Sequence, residues 1–367
     1  MDWYEVENIE DIDSPAFLVY PDRVRENIDR MIEIAGSAGR LRPHVKTYKM
    51  SEVVQLQREA GIDKFKCATI AEAEMLGVVG ASQALLAYQP YGPKIARLIA
   101  LIKAFPKTHF STLIDNIGTA QAISNLAIDA RITIDIYIDL DTGNHRTGIS
   151  PGLAFELYKR CQGLKGIDIV GLHAYDGHLR QSDFAERKAE SDQCFEGVKK
   201  LRNEVESNFG IKLEVIAGGS PTFPCHAHRD DDIICSPGTS LFWDWGYGSK
   251  FPDLDFSFAA LVITRVISKV GKNRITLDLG HKSIASENPF PRVHFLNMNE
   301  GKQISHSEEH LVIEVHDNSS YHIGQVFYGV PIHICPTTAL YEKAHVVHAN
   351  KVDGAWKVVA RDRTLSI

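Results

Sequence analysis

A lysine placed where a strand gives way to a helix can lose its charge to desolvation and act as a nucleophilic amine. One such lysine stands in Arg42-Pro43-His44-Val45-Lys46-Thr47-Tyr48-Lys49, just before an amphipathic helical stretch, Met50 to Ala60. Taken alone, the stretch reads as readily as a solvated loop with ordinary lysines. Other residues of chemical interest recur further on: Arg146 in Asp141-Thr142-Gly143-Asn144-His145-Arg146-Thr147-Gly148, and His173, Tyr175 and His178 in one short run. Gly218 and Gly219 allow the backbone to approach an anion, and the hydroxyls of Ser220, Thr222 and Thr239 add donors beside Gly238. His333 and Cys335 lie two apart; on a strand they would share a face and present a nitrogen and a sulfur to one ion. That pair suits zinc, whereas histidine with a carboxylate would suit manganese or magnesium. His226 and His228 form a second His-x-His pair, which reads as a loop feature first and a metal cue second.

The elements that must position these residues follow an alternating pattern. Ala16 to Tyr20 reads as a strand, and Asp22 to Ala38 as a helix with apolar residues at helical spacing. Strands are then expected at Leu41 to Lys46, Lys64 to Ala68, Ala84 to Tyr88, His109 to Ile114 and Ile132 to Leu140. Three more are expected at Asp168 to His173, Lys212 to Ala217 and Asp232 to Cys235. Helical stretches such as Ala71 to Val79, Lys94 to Lys103 and Leu153 to Cys161 separate most of them. Repeated strand–helix units imply a parallel sheet, and eight of them a closed (β/α)8 barrel, with an open doubly wound sheet as the alternative. Lys46, Arg146, Tyr175, Gly218 and Gly238 then all fall after strands, on the face where barrel enzymes keep their sites. After about Phe251 the chain turns rich in β-branched strands, with a hairpin expected around Asp353-Gly354. The expected organisation is a barrel over 15–250 and an antiparallel β-domain made of 1–14 and 251–367.

Composition narrows the function. A formal charge of −7, from 47 acids against 40 bases, argues against nucleic acid and membrane surfaces as main partners. No apolar run approaches the roughly 20 residues needed to span a bilayer, and Met1-Asp2-Trp3-Tyr4-Glu5 lacks a signal-peptide pattern. Six scattered cysteines without framework spacing suit a reducing cytoplasm.

Arg42-Pro43-His44-x-Lys46-Thr47-x-Lys49 resembles the lysine motif of the D-threonine aldolase and D-serine dehydratase family, fold-type III pyridoxal phosphate enzymes. The resemblance runs, with gaps, from about Ser14 to about Tyr341. It implies that Lys46 forms the Schiff base with pyridoxal 5'-phosphate, that Arg146 approaches the cofactor's phenolic oxygen, and that Tyr175 lies near its ring nitrogen. It implies a divalent metal on His333 and Cys335, a site role for His310 in Ser307-Glu308-Glu309-His310, and a homodimer acting on small amino acids. Asp278-Leu279-Gly280-His281-Lys282 resembles a family segment expected to be structural. The chain departs from close relatives at Tyr48, often histidine, and in carrying Ser220-Pro221-Thr222-Phe223 where many have a longer glycine–threonine run.

The implied reaction is retro-aldol cleavage of a D-3-hydroxy amino acid to glycine and an aldehyde, with Lys46 and His310 as catalytic residues. Dehydration of D-serine or D-3-hydroxyaspartate would use the same site, and the His-x-Cys pair resembles that of zinc-dependent D-serine dehydratases. Three more readings stay open at this point: an amino-acid racemase, a non-catalytic pyridoxal phosphate-binding protein and a barrel zinc hydrolase.

Overall fold

Pro43 has no amide hydrogen, so the stretch around Lys46 cannot run as a regular ladder strand. In the computed structural model, which describes residues 1–229 and 232–367, it closes a barrel through isolated pairings instead. Leu41 bridges Cys235 and His44 bridges Lys66 in parallel, and Val45–Thr47 then forms a 3-10 turn. The chain divides into two units, one of 1–28, 47–53 and 239–361, the other of 29–46, 54–238 and 362–367.

Ala16–Val19 (β1) is the first strand and belongs to the first unit. The second unit holds seven parallel strands in sequential order: Lys64–Cys67 (β2), Gln83–Leu86 (β3), His109–Ile114 (β4), Ile134–Leu140 (β5), Ile167–Ala174 (β6), Glu214–Ala217 (β7) and Ile233–Cys235 (β8). With Leu41–His44 as the eighth, irregular position, the sheet is a (β/α)8 barrel. Its interior carries Leu85, Leu113, Tyr137 and Ile216. Buried Arg42 donates to Tyr137 Oη at 3.2 Å and to Gln83 Oε1 at 2.6 Å, while Tyr137 donates to Glu214 at 2.6 Å, so the barrel interior also holds a polar network. A larger apolar shell, including Ile136, Ile138, Tyr158 and Val198, packs outside the strands. Local signals set the helices: Thr69 accepts from Glu72 N at 3.1 Å, and Gly80 ends that helix in the left-handed conformation.

The first unit contains a nine-stranded sheet of β1 and eight further strands. These are Ala260–Val270 (β9), Arg274–Leu277 (β10), Val293–Phe295 (β11), Lys302–His306 (β12), Leu311–Glu314 (β13), Val326–Pro331 (β14), Lys343–His348 (β15) and Lys351–Lys357 (β16). All pairings are antiparallel except β1 with β15. Its core gathers Leu18, Leu261, Ile263, Tyr328 and Val330.

Three expectations are corrected. The division between units does not run at 14 and 250, because β1 pairs with β9 and β15 rather than with the barrel. The hairpin turns at Ala349 and Asn350, which both have positive φ (44° and 61°), and Asp353-Gly354 lies inside β16. His333-Ile334-Cys335 is not a strand: β14 ends at Pro331, His333 caps the helix Ile334–Leu340, and Pro336 sits in the first turn, where its missing amide is harmless. Among the described residues no helix is long and apolar enough to cross a membrane.

Candidate active site

Lys46, half-buried in its 3-10 turn, receives support from its own neighbours. Its backbone N–H donates to His44 Nδ1 at 3.2 Å, and the flanking chain is held by Arg42 N to Cys235 O and His44 N to Pro237 O, both 2.8 Å. Lys66 N donates to Pro43 O at 2.9 Å, which ties the irregular segment to β2. The Lys66 side chain is buried in the barrel, 3% exposed.

Around these lysines the barrel mouth gathers residues from β5, β6 and the segment after β3. Lys66 Nζ lies 3.5 Å from His173 Nε2, and His173 Nδ1 lies 2.7 Å from Asp139 Oδ1. The other Asp139 oxygen accepts from Gln89 at 2.8 Å. Burial raises the Asp139 carboxyl, but bonds from His173, Thr147 and Gln89 outweigh it and hold the group below its usual range. His173 is therefore anchored as a neutral ring: burial lowers its affinity for a proton more than Asp139 raises it, with Lys66 and Arg146 adding to the lowering. Its Nδ1–H donates to Asp139, which leaves Nε2 to accept from Lys66. Lys66 itself is pushed down to about 7, first by burial, then by Lys46 and Arg146 against the opposing pull of Asp139 and Asp176.

Tyr175, the residue after β6, is where the sequence candidates converge. The Arg146 guanidinium stands 5.0 Å and Lys66 Nζ 5.6 Å from its ring centroid. A Cβ on Gly219 would come 3.0 Å from Tyr175 Cε2, so that glycine permits a close approach of loop and ring. Gly148 plays the matching part in the loop of Arg146. At φ +104° it folds the chain back so that Ile149 pairs with Leu140, and a Cβ there would strike Asp141 N at 2.6 Å.

The glycine-rich loops after β7 and β8 come together, but their amides do not point outward as the sequence suggested. Gly218 N donates to Ala174 O at 3.3 Å, Gly219 N to Thr222 Oγ1 at 3.1 Å, and Gly238 N to Ser220 Oγ at 3.1 Å. The Thr222 hydroxyl in turn donates to Asp176 Oδ1 at 2.5 Å. These residues build the loops rather than offering open amides. Thr239 lies in the other unit, its hydroxyl 3.8 Å from Cys335 Sγ.

His226 also departs from its reading as a loop residue. It is buried on the short helix Phe223–Ala227, donates through Nε2 to Asp176 Oδ2 at 2.8 Å, and accepts at Nδ1 from Arg229 at 3.2 Å. His228 Nδ1 bonds Pro224 O at 2.6 Å. Asp176 thus pins the β7 loop from both sides, and His226 and Thr222 hold its carboxyl below the usual range despite full burial. Replacing it should be costly. Asp176→Ala is expected to destabilise the barrel by about 3–5 kcal/mol, because it orphans a buried histidine and hydroxyl, read as a lower urea midpoint at pH 7. The sign with pH follows from the depressed carboxyl: its stabilisation is present above the ordinary carboxylate range and is lost as pH falls through the folded value. The urea midpoints of wild type and variant should therefore converge in acid; a constant gap would contradict this.

In the first unit, His333 and Cys335 are brought together at the start of the helix Ile334–Leu340. Cys335 Sγ lies 3.3 Å from Thr47 Oγ1, and His333 Nδ1 bonds Glu287. Burial lowers the His333 imidazole, but Cys335 and Glu287 together raise it to about 9. Buried Asp244 fixes the start of this helix by accepting from Ile334 N at 3.1 Å; burial outweighs that bond and pushes its carboxyl up to about 6. Among the described residues no trio of His, Cys, Asp or Glu is arranged to hold a metal. The pair fits a metal with two protein donors: a carboxylate on Nδ1 leaves the other ring nitrogen for an ion, as is usual around metal-bound histidines.

His310 is exposed, and its carbonyl accepts from Ser307 N at 2.9 Å to close a turn. Lys282 pairs with Glu308 at 2.7 Å and Glu309 at 3.1 Å in that turn. Asp278 is structural as expected, accepting from Thr264 and Ser14, both at 2.5 Å. The sequence reading did not single out Lys66, Asp139, Asp176, Asp244 or Glu287. A lysine two residues from another in Lys64-Phe65-Lys66-Cys67 was the one available hint of an inward-facing amine.

The fold and the mouth define a (β/α)8 barrel protein with one amine, Lys66, and an arginine, Arg146, over one aromatic ring, and a second amine, Lys46, acting on the first, joined in the chain to a largely antiparallel sheet domain. The family described as "Alanine racemase, N-terminal domain" matches residues 19–244, and "Putative serine dehydratase domain" matches residues 259–347. The chain belongs to this alanine racemase-like family, in the D-threonine aldolase and D-serine dehydratase branch of fold-type III pyridoxal phosphate enzymes. It is 26% identical over 328 residues to a D-threonine aldolase of Arthrobacter sp, covering 88% of this chain and 85% of that protein. It is 31% identical over 242 residues to a D-threo-3-hydroxyaspartate dehydratase of Delftia sp., covering 64% of this chain and 62% of that protein. The crystal structure of a D-threonine aldolase from Filomicrobium marinum superposes with a TM-score of 0.87 over 96% of each chain at 24% identity.

Proposed function

We propose that the protein is a pyridoxal phosphate- and divalent metal-dependent lyase that cleaves D-3-hydroxy amino acids of the D-threonine type to glycine and an aldehyde. The observation that carries the cofactor part is the charge balance at the barrel mouth. At Lys66 the cations Lys46 and Arg146 act against Asp139 and Asp176, and both carboxylates already accept bonds from their own neighbours. A site with surplus positive charge around an aromatic ring fits an anionic, aromatic cofactor.

Lys46 is the amine that would hold the cofactor and carry a proton at Nζ. Arg146 would supply a permanent charge that no change of pH removes, and Tyr175 would limit where the ring can lie. His333 and Cys335 would hold the metal, for which the thiolate favours zinc over manganese or magnesium. Bound pyridoxal phosphate supplies an electron sink for bonds at the α-carbon of an amino acid. A homodimer is part of the same proposal.

Cleavage is favoured over dehydration on identity rather than coverage: the D-threonine aldolase is 26% identical over 88% of this chain, against 22% over 93% for a D-serine dehydratase of Dictyostelium discoideum. The second reading, a D-serine or D-3-hydroxyaspartate dehydratase, is favoured by the contact between His333 and Cys335. Purified protein supplied with pyridoxal phosphate and zinc or manganese should yield glycine and acetaldehyde from D-threonine, with little pyruvate from D-serine. Ammonia with pyruvate or 2-oxobutyrate would replace the aldolase reading by the dehydratase. No product from either substrate would remove both.

A further inference from the structure

Lys66 has no part in the lysine motif, yet it is the most enclosed cation of the barrel mouth. It projects from β2, and burying an amine that deeply is costly unless its bonds are satisfied and its charge has a use. Its nearest polar partner is a neutral ring nitrogen, His173 Nε2 at 3.5 Å, rather than a carboxylate. The carboxylate lies one step further, where His173 Nδ1 meets Asp139 at 2.7 Å. The result is a chain from Gln89 through Asp139 and His173 to Lys66, whose last member faces the Tyr175 ring at 5.6 Å.

The groups that act on Lys66 come from every side. Lys46 and His44 belong to the segment paired with β2; Asp139 and Arg146 end or follow β5; His173, Tyr175 and Asp176 end or follow β6. Arg146 is permanently charged, and the two carboxylates are held ionised by their own partners. Lys66 is therefore the variable charge of the group: burial and the neighbouring cations bring it to about 7, so it can gain or lose its proton near neutrality.

We propose that Lys66 is a positioning residue that sets the charge of the cofactor site, disfavouring a proton on Lys46 Nζ while it is itself charged. This rests on the assignment of Lys46 as the cofactor lysine. A charge in a buried site shifts a neighbouring group by about 1–3 pH units, and the pairing of Lys66 with His44 and its bond to Pro43 O set it on the strand beside the Lys46 segment.

The test is a pH titration of the visible absorbance of the holoprotein, without substrate, in wild type, Lys66→Arg and Lys66→Met. The transition reports the proton at Lys46 Nζ. The arginine variant keeps a charge at every pH and the methionine variant has none. The midpoint of Lys66→Met should lie at least about one pH unit above that of Lys66→Arg, with the wild type between or coincident with one of them. Lys66→Gln repeats the neutral arm should the methionine variant fail to fold. Coincident midpoints for the charged and neutral variants overturn the proposal, since a merely structural lysine would alter stability without ordering these curves by charge. Failure of the underlying assignment looks different: no visible band forms, or the band persists in Lys46→Ala.

Discussion

Lys46→Ala is expected to abolish turnover, lowering kcat on the order of 10^4-fold or more, and to remove the visible absorbance of covalently held cofactor. The loss is specific because the substitution deletes an amine without dismantling its support. The turn is held by backbone bonds of Arg42, His44 and Lys66, none of which uses the Lys46 side chain. A half-exposed side chain outside the core changes stability by about 0.5 kcal/mol or less when shortened, so the variant should unfold at nearly the wild-type urea concentration. Loss of an activated nucleophile, by contrast, is among the largest single-residue effects in catalysis. Lys66 cannot take its place, because its amine is directed to His173 inside the barrel. Product assays and absorbance spectra of the purified variant check both halves, and a Lys46→Ala protein with full activity would overturn the cofactor assignment.

The parts of this site that were legible in the sequence are those written locally. The barrel strands show as short apolar runs because a parallel sheet is covered on both faces, and β2 to β8 fall within a few residues of the expected runs. Lys46 stood out because Pro43 and the following helix mark a junction. Leu41–His44 was harder: proline interrupts the ladder, so the strand survives as isolated bridges. His333 and Cys335 read as strand residues but lie instead at the start of a helix, since Pro336 favours a first helical turn as readily as it ends a strand. What the sequence hid was long-range. Asp139 and His173 lie on neighbouring strands, and only the register that sets Asp139 beside His173 creates their bond. Lys66 resembles a solvent-facing strand lysine until the barrel closes over it. The glycine amides looked available to an anion until Thr222, Ser220 and Ala174 were placed against them.

The proposed metal pair carries the second large effect. Cys335→Ala and His333→Ala are each expected to lower bound metal below one equivalent and to reduce turnover on the order of 10^2-fold or more, while the Lys46-dependent absorbance persists. The reason is chemical division of labour. On the proposed assignment, sulfur and imidazole would be donors to an ion, whereas the amine chemistry would belong to Lys46. Glu287→Gln grades the effect: it leaves both donors in place but weakens the carboxylate bond at His333 Nδ1, which orients the ring. Losses of about 10–100-fold in metal affinity follow from such outer partners. Metal content by atomic emission, absorbance and product formation should therefore separate into two patterns. Exhaustive chelation is expected to reproduce the Cys335→Ala pattern in the wild type, and added zinc to reverse it. Turnover unchanged after the metal is fully removed would strike the ion from the reaction and leave His333, Cys335 and Glu287 as a polar cap on the helix Ile334–Leu340.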